Sequence, residues 1–371
     1  MDMLVCEKDK CCGCNACVNI CPKKCISLVD EVKSINALIN KDKCIDCKMC
    51  KKVCQVNNKN SELIKLNKVY ECYEGLTKYN DINKNSSSGG FASTLGLEFT
   101  KNGGYVVGVK NDRDFFYFDL TNNPNEVKLF AGSKYVKVST GNIYIKIKEK
   151  LLENKNVLFF GLPCQVAGLK LFLQKEYSNL YTIDLICHGT PSEKILLKYL
   201  NEIGYNNMQY LKFRNKHYFH LSNSNDDKNI GYISDGYMIG FLNGLFYTEN
   251  CYSCRFATSE RVSDITIGDS WGNSKENNGL NSLSLILSNS IKGKYLISLV
   301  EDVFHFKERI YEDAISYNAQ LSHPSSKQKY TNYYFDHFND MSTFKIIKKA
   351  YPKTVLKQYI KYFLIKLHCK R

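Results

Sequence analysis

Eight cysteines fall within the first fifty-four of 371 residues: Cys11, Cys14, Cys17 and Cys21, followed by Pro22, then Cys44, Cys47, Cys50 and Cys54. Both groups keep the spacing C-x2-C-x2-C-x3-C. Thiolates two residues apart can cover three corners of a 4Fe-4S cubane, but the loop is then too tight to supply a fourth ligand from the same run. In two-cluster proteins with this spacing the fourth cysteine of each run serves the other cluster. The spacing therefore assigns one cluster to Cys11, Cys14, Cys17 and Cys54, and a second to Cys44, Cys47, Cys50 and Cys21. Zinc knuckles use ligands two by two rather than as a triplet plus one, so the pattern favours iron. Gln55 stands where the second run lacks the first run's proline, which costs a turn preference and no ligand.

Nine cysteines remain. Cys164 and Cys187 lie in the segments GLPCQVAGLK (161 to 170) and CHGTPSEK (187 to 194), each directly after an apolar strand-like run, and Cys251 and Cys254 form CYSC. Ligands of open α/β sheets collect at the carboxyl ends of strands, so a four-cysteine set drawn from three places reads as a third 4Fe-4S site. Four thiolates would also suit a structural zinc, and C-x-x-C a redox-active disulfide. Cys6, Cys12, Cys25, Cys72 and Cys369 fit no spacing rule and read as bystanders.

Clusters carry single electrons, and a flavin is the usual converter to two-electron chemistry. The segment SSSGGF (86 to 91) leads into a helical pattern. Its free N–H groups and the helix dipole favour a phosphate near Ser88, Gly89 and Gly90. GSKYVKVS (132 to 139) adds Lys134 for a pyrophosphate. No G-x-G-x-x-G follows a strand, so a Rossmann dinucleotide site is not supported.

These residues need a scaffold. ISLVDEVKSINALIN between the cysteine runs alternates like a hairpin, and the polar stretch 56 to 68 reads as a linker. Strand-like runs follow at VYECY, 105–110, 115–120, 157–161, 181–187, 210–214, 264–269 and 284–290. Helical patterns fall at 90–101, 142–153, 164–175, 192–203, 236–247 and 292–301. This alternation predicts an α+β protein in three parts. Residues 1–60 form a two-cluster ferredoxin-like domain, 61–310 a mixed-sheet α/β core holding flavin and iron-sulfur, and 311–371 a helical segment with a basic amphipathic tail. In that tail Val355, Leu356, Tyr359, Ile360, Phe363, Leu364 and Leu367 share one helical face, flanked by Lys357, Lys361, Lys366 and Lys370.

The net charge is +14, but residues 343–371 supply +9 of it, and no nucleic-acid-binding motif accompanies the rest. Nucleic acid is therefore not an expected partner. No run is long and apolar enough to span a bilayer. With no signal-like stretch and with thiols that need a reducing compartment, the expected location is the cytoplasm, with the basic tail against the inner face of the membrane.

The ordered series SSSGGF, GSKYVKVS, VLFFGLPCQVAGLK, IDLICHGTPS, FRNK, CYSC and RVSDITIGDSWG resembles the coenzyme F420 hydrogenase/dehydrogenase beta-subunit family. It is most similar to the bacterial branch with a two-cluster 4Fe-4S ferredoxin domain in front, which is associated with polysaccharide biosynthesis. The resemblance implies an oxidoreductase with FAD beside a cluster. Electrons would pass from a ferredoxin-type or other low-potential donor through the clusters to FAD and on to an organic acceptor, either a sugar or glycan-pathway intermediate or deazaflavin F420. Carried across by motif, the flavin contacts are Ser88, Gly89, Gly90, Ser133, Lys134, Tyr135, Gly161, Pro163 and Gln165, and the inner cluster takes Cys164, Cys187, Cys251 and Cys254. A non-catalytic subunit feeding electrons to a partner enzyme is the alternative, and an assembly factor with structural clusters a third reading. His188 is a candidate proton donor, against the plainer role of a hydrogen-bonding wall residue. Arg261, Asp264 and Asp269 read as a structural ion pair with turn caps.

Overall fold

The structure, a computed structural model, describes residues 3–112, 115–205, 211–216, 218–223, 226–229, 235–272 and 282–366. At the N-terminus β1 (Met3–Leu4), β2 (Ile26–Asp30) and β3 (Ile35–Ile39) form an antiparallel sheet in the order β1-β3-β2. The β2-β3 hairpin is the one its alternation predicts: Ile26, Ala37 and Ile39 point inward and pack with Val5, Cys11, Cys17 and Cys25.

The main sheet has eight strands: β4 (Glu71–Thr77), β5 (Tyr105–Asp112), β6 (Phe115–Thr121), β7 (Val157–Phe160), β8 (Leu180–Leu185), β12 (Ile265–Asp269), β13 (Ser284–Ser288) and β14 (Phe304–Glu308). Their order is β14-β4-β13-β12-β8-β7-β5-β6. β5, β7, β8 and β12 run parallel, and the other neighbours pair antiparallel. Between β8 and β12 the chain makes a separate antiparallel sheet of β9 (Leu211–Asn215), β10 (Tyr218–Asn223) and β11 (Asp226–Asn229).

Strand side chains alternate between the two faces of a sheet. Val106 and Leu158 thus join Phe91, Leu95 and Phe99 of the Phe91–Lys101 helix and Leu296 of the Ile291–Ser298 helix. Their neighbours Val107 and Phe159 point the other way, onto the Ile143–Leu152 and Pro163–Leu173 helices. Helices on both faces explain why β7, VLFF, is apolar throughout. The architecture is α+β.

The second core also contains Cys12, Cys14, Ala16, Val53 and Ile64, so the N-terminal segment is packed onto the main body. The stretch 56–68, expected to be a plain linker, is pinned there. Ile64 is fully buried, worth about 1.5–3 kcal/mol, and Asn67 and Arg261 exchange two backbone hydrogen bonds of 2.8 Å.

A second expectation is corrected here. Arg261 pairs with Asp184 at 3.0 Å, not with Asp264 or Asp269. Both partners are fully buried, and the guanidinium also donates to Thr266 Oγ1 and to the carbonyls of Phe256, Thr258 and Leu185. Such saturation offsets the desolvation of a buried charge. Asp264 instead accepts from the Thr182 N–H and hydroxyl and from Ser290.

After β14 come short helices, then Thr343–Ala350 and Pro352–Lys366. Ile346 and Ile347 are buried in the main core, as is Val355. Leu356, Tyr359 and Ile360 are 60%, 43% and 53% exposed, so these three residues of the predicted apolar face point to solvent. Leu367, Cys369 and Lys370 lie outside the described residues. Among the described residues no helix is long and apolar enough to cross a membrane.

Candidate cluster and cofactor sites

The two cysteine runs repeat at an offset of thirty-three residues, and their backbones repeat with them. Gly13 and Asn15 adopt φ of 63° and 60°, and their counterparts Asp46 and Lys48 adopt 50° and 60°. These left-handed residues fold each triplet around a hollow. The Gly13 N–H donates to Cys11 Sγ at 3.4 Å, and the Asp46 N–H donates to Cys44 Sγ at the same distance.

One hollow is lined by Cys11, Cys14, Cys17 and Cys54, with Cys6 and Cys12 at its wall. The other is lined by Cys44, Cys47, Cys50 and Cys21, with Cys25 beside them. Each run thus sends its fourth cysteine to the other hollow. Three of the residues read as bystanders therefore lie at these sites: Cys12 is at the wall of the first hollow, the Cys25 thiol is 3.4 Å from Cys21 Sγ, and hydrogen bonding to Cys11 and Cys54, then burial, raises the Cys6 thiol far above its usual range. Cys72 is buried in β4, away from both.

The Pro163–Leu173 helix links the first hollow to the inner cysteines. A Cβ at Gly168 would lie 2.8 Å from both Cβ and Sγ of Cys14, so only glycine lets Cys14 rest directly on the helix. Cys164 is one turn earlier on the same face. Gln55, buried, spans the junction: its Nε2 donates to Cys12 Sγ at 2.9 Å and to the Cys164 carbonyl at 2.7 Å.

The structure brings Cys164, Cys187, Cys251 and Cys254 together. Burial first, then Cys251, Cys164 and Cys254, raise the Cys187 thiol well above its usual range. Burial, then Cys164 and Cys251, push Cys254 up to about 12. Buried Lys137 stands 3.8 Å from Cys164 Sγ. Burial alone would lower its ammonium, but Cys164 leads a group of thiols that raise it, and it has no carboxylate partner among the described residues. A buried cation facing four cysteines fits an anionic thiolate-held centre. Among the described residues no three His, Cys, Asp or Glu side chains converge closely enough to hold a single metal ion.

Cys187 also lines a third and larger cavity of about 480 Å³, at the carboxyl ends of β7, β8 and β12. It falls within the roughly 300–1,000 Å³ of most small-molecule sites. Of the sequence-derived flavin contacts, Ser88, Gly90, Ser133, Lys134, Tyr135, Gly161 and Gln165 line it. Gly89 and Pro163 are not among the lining residues. A Cβ at Gly89 would meet the Gly75 carbonyl at 2.0 Å, so that glycine serves backbone packing. Pro163 is buried as the first residue of its helix.

The two phosphate-friendly loops are tied together, since the Ser133 N–H donates to Ser87 Oγ at 2.9 Å. Lys134 donates to the Phe130 and Ala131 carbonyls at 2.8 Å and has no acidic partner among the described residues. Burial pushes its ammonium down to about 7. Gln165 uses both ends of its amide internally, accepting from the Leu162 N–H and donating to the Val138 carbonyl, each at 2.9 Å; it braces the 161–163 loop. His188 presents its ring to the open cavity yet is enclosed by protein around it, and burial lowers its pKa against an opposing pull from Asp269.

Arg214 was invisible as a site residue in the sequence. Its guanidinium makes a two-pronged pair with Asp269 (2.6 and 3.2 Å), donates to Tyr135 OH at 3.1 Å and to the Ser87 carbonyl at 2.7 Å, and stacks 4.7 Å over the Phe219 ring. It gathers four parts of the cavity wall. The FRNK segment was the only signal, and a lone motif carries no partner.

Parallel strands whose carboxyl ends open on a large cavity define the type of site at which open α/β sheets take their ligands, and here grouped cysteines stand beside it. Residues 154–310 match the family model for the C-terminal part of the coenzyme F420 hydrogenase/dehydrogenase beta subunit. That stretch, which contains the four inner cysteines, Arg214 and Asp269, is similar to this family's C-terminal part. A solved structure of the F420-reducing [NiFe] hydrogenase complex from Methanosarcina barkeri is similar with a TM-score of 0.49 and 14% identity, covering 70% of this chain and 92% of that one. No curated protein matches.

Proposed function

We propose that this protein is an iron-sulfur flavoprotein oxidoreductase. It would take electrons from a low-potential donor at the N-terminal cysteine sites and deliver them, by way of the inner cysteines and FAD, to an organic acceptor in a sugar or glycan pathway. The observation that carries the reading is the placement of one helix. Pro163–Leu173 holds Cys164 of the inner set, rests through Gly168 on Cys14 of the first hollow, and is preceded by the loop that lines the large cavity. The cysteine sets suit 4Fe-4S clusters, and the cavity with Lys134 suits a flavin dinucleotide. When bound, the clusters supply single electrons and the flavin hydride chemistry.

The chain's own residues bind and orient. Lys134 and the Ser87–Gly90 loop meet phosphate, Lys137 balances thiolate charge, and Arg214 holds the walls in register. His188, whose pKa burial lowers, and Lys134 face the cavity without a salt-bridge partner among the described residues. Asp269 has both oxygens on Arg214, and this scarcity of free acid-base groups favours the second reading, an electron-transfer subunit serving a partner enzyme. The exposed apolar residues of the Pro352–Lys366 helix and its lysines would place the protein on an anionic membrane.

Anaerobic purification with iron, sulfide and flavin counted together tests the main reading. About twelve irons and one FAD per chain are expected from three cubane sites. Zinc alone in place of iron would refute it. Turnover of a glycosyl acceptor by the isolated protein separates the enzyme from the electron-transfer subunit.

A further inference from the structure

We propose that the face around Cys44, Cys47 and Cys50 is the docking surface for a small acidic one-electron carrier protein. The proposal rests on reading that cysteine set as a cluster site. The two N-terminal hollows differ sharply in access. Cys11, Cys14 and Cys17 are buried and their hollow is packed toward the interior helix, whereas Cys47 is the one exposed cysteine of the eight. Electrons from outside therefore meet the second hollow first.

Its surroundings carry the chemistry of a docking face. Lys23, Lys48 and Lys51 line the hollow and are exposed, and Lys24, Lys43 and Lys52 stand beside them, also exposed. Across 21–25 and 41–52 there are seven lysines against two aspartates. None of the seven is in an ion pair among the described residues. At the centre are two exposed apolar side chains, Ile45 at 58% and Met3 at 38%. An apolar centre within a charged rim is the usual anatomy of a protein interface, and an uncompensated positive rim steers an acidic partner toward it. In the complex one electron leaves the carrier's reduced centre, which is oxidised, and reduces the outer cysteine-held centre. No bond or proton changes hands.

The test measures binding as well as reduction, on the anaerobically purified full chain with its iron counted first. The probes are a small acidic ferredoxin and, as a basic carrier, cytochrome c. The ferredoxin should bind at low salt and lose about tenfold or more in affinity on raising NaCl toward 0.3 M, since screening is then strong. Cytochrome c should not bind. A K23E/K48E/K51E variant with full iron content should weaken ferredoxin binding and its reduction rate about tenfold, while reduction by methyl viologen radical stays within about twofold. A K348E/K349E variant, altered in the C-terminal basic helix, should behave as wild type. Salt-independent binding, equal loss in K348E/K349E, or loss of anionic-vesicle rather than ferredoxin binding in the triple variant would overturn the proposal. Protein without iron would overturn the cluster reading itself, and this proposal with it.

Discussion

Lys134 illustrates how a single residue can both test and explain a site. Its ammonium is held by two carbonyls and no acid, and burial pushes its pKa down to about 7. Below that value the lysine is charged and meets an anion directly. Above it the lysine is neutral, and an anion must bring a proton with it. FAD affinity for flavin-free protein should therefore fall as pH rises from about 6 to 9, by at most roughly tenfold per unit above pH 7. Lys134→Met should flatten that dependence and weaken binding roughly tenfold or more; titration by flavin fluorescence reads both. Gln55 gives a second residue-level test. Gln55→Leu leaves Cys12 and the Cys164 carbonyl without their donor, which should cost about 1–3 kcal/mol, seen in denaturant unfolding.

At the scale of elements, the contact between the N-terminal segment and the Pro163–Leu173 helix depends on Gly168. Alanine normally gains about 1 kcal/mol over glycine inside a helix. Here the new Cβ would strike Cys14 at 2.8 Å, and overpacking of this kind costs about 1–3 kcal/mol. Gly168→Ala should therefore be destabilising overall. It should also weaken the magnetic interaction between the N-terminal and inner clusters, read by electron paramagnetic resonance of the reduced protein, without lowering iron content. The β9-β10 hairpin has a comparable role through Arg214. Arg214→Lys keeps the charge but loses the two-pronged geometry, so flavin affinity should drop by less than in Arg214→Met, which also leaves Asp269 without its partner.

For the whole molecule, the C-terminal segment has two parts with different duties. Ile346 and Ile347 are buried against the body, while Leu356, Tyr359 and Ile360 are exposed. Truncation after Asp340 should lower thermal stability by removing core side chains. Truncation after Tyr351 should change stability far less and reduce binding to anionic vesicles. Unchanged vesicle binding after the second cut would refute the membrane role. The eight N-terminal cysteines, the β2-β3 hairpin, seven of the eight strands of the main sheet and β9 were legible from the chain, because ligand spacing and the periods of two and 3.6 are local properties. β14 escaped notice because FHFKE is short and partly exposed, an edge strand with little apolar contrast. The Arg261–Asp184 and Arg214–Asp269 pairs join residues 77 and 55 positions apart, and no local pattern encodes a partner at that distance. The sequence by itself determined which residues could ligate iron and how the first two sets exchange their fourth cysteine. Only the tertiary structure decided that Gly168 lets the first set touch the helix of Cys164, that Lys134 has no acid beside it among the described residues, and that Cys47 is the most open of the eight, because contact, burial and exposure arise when distant segments pack.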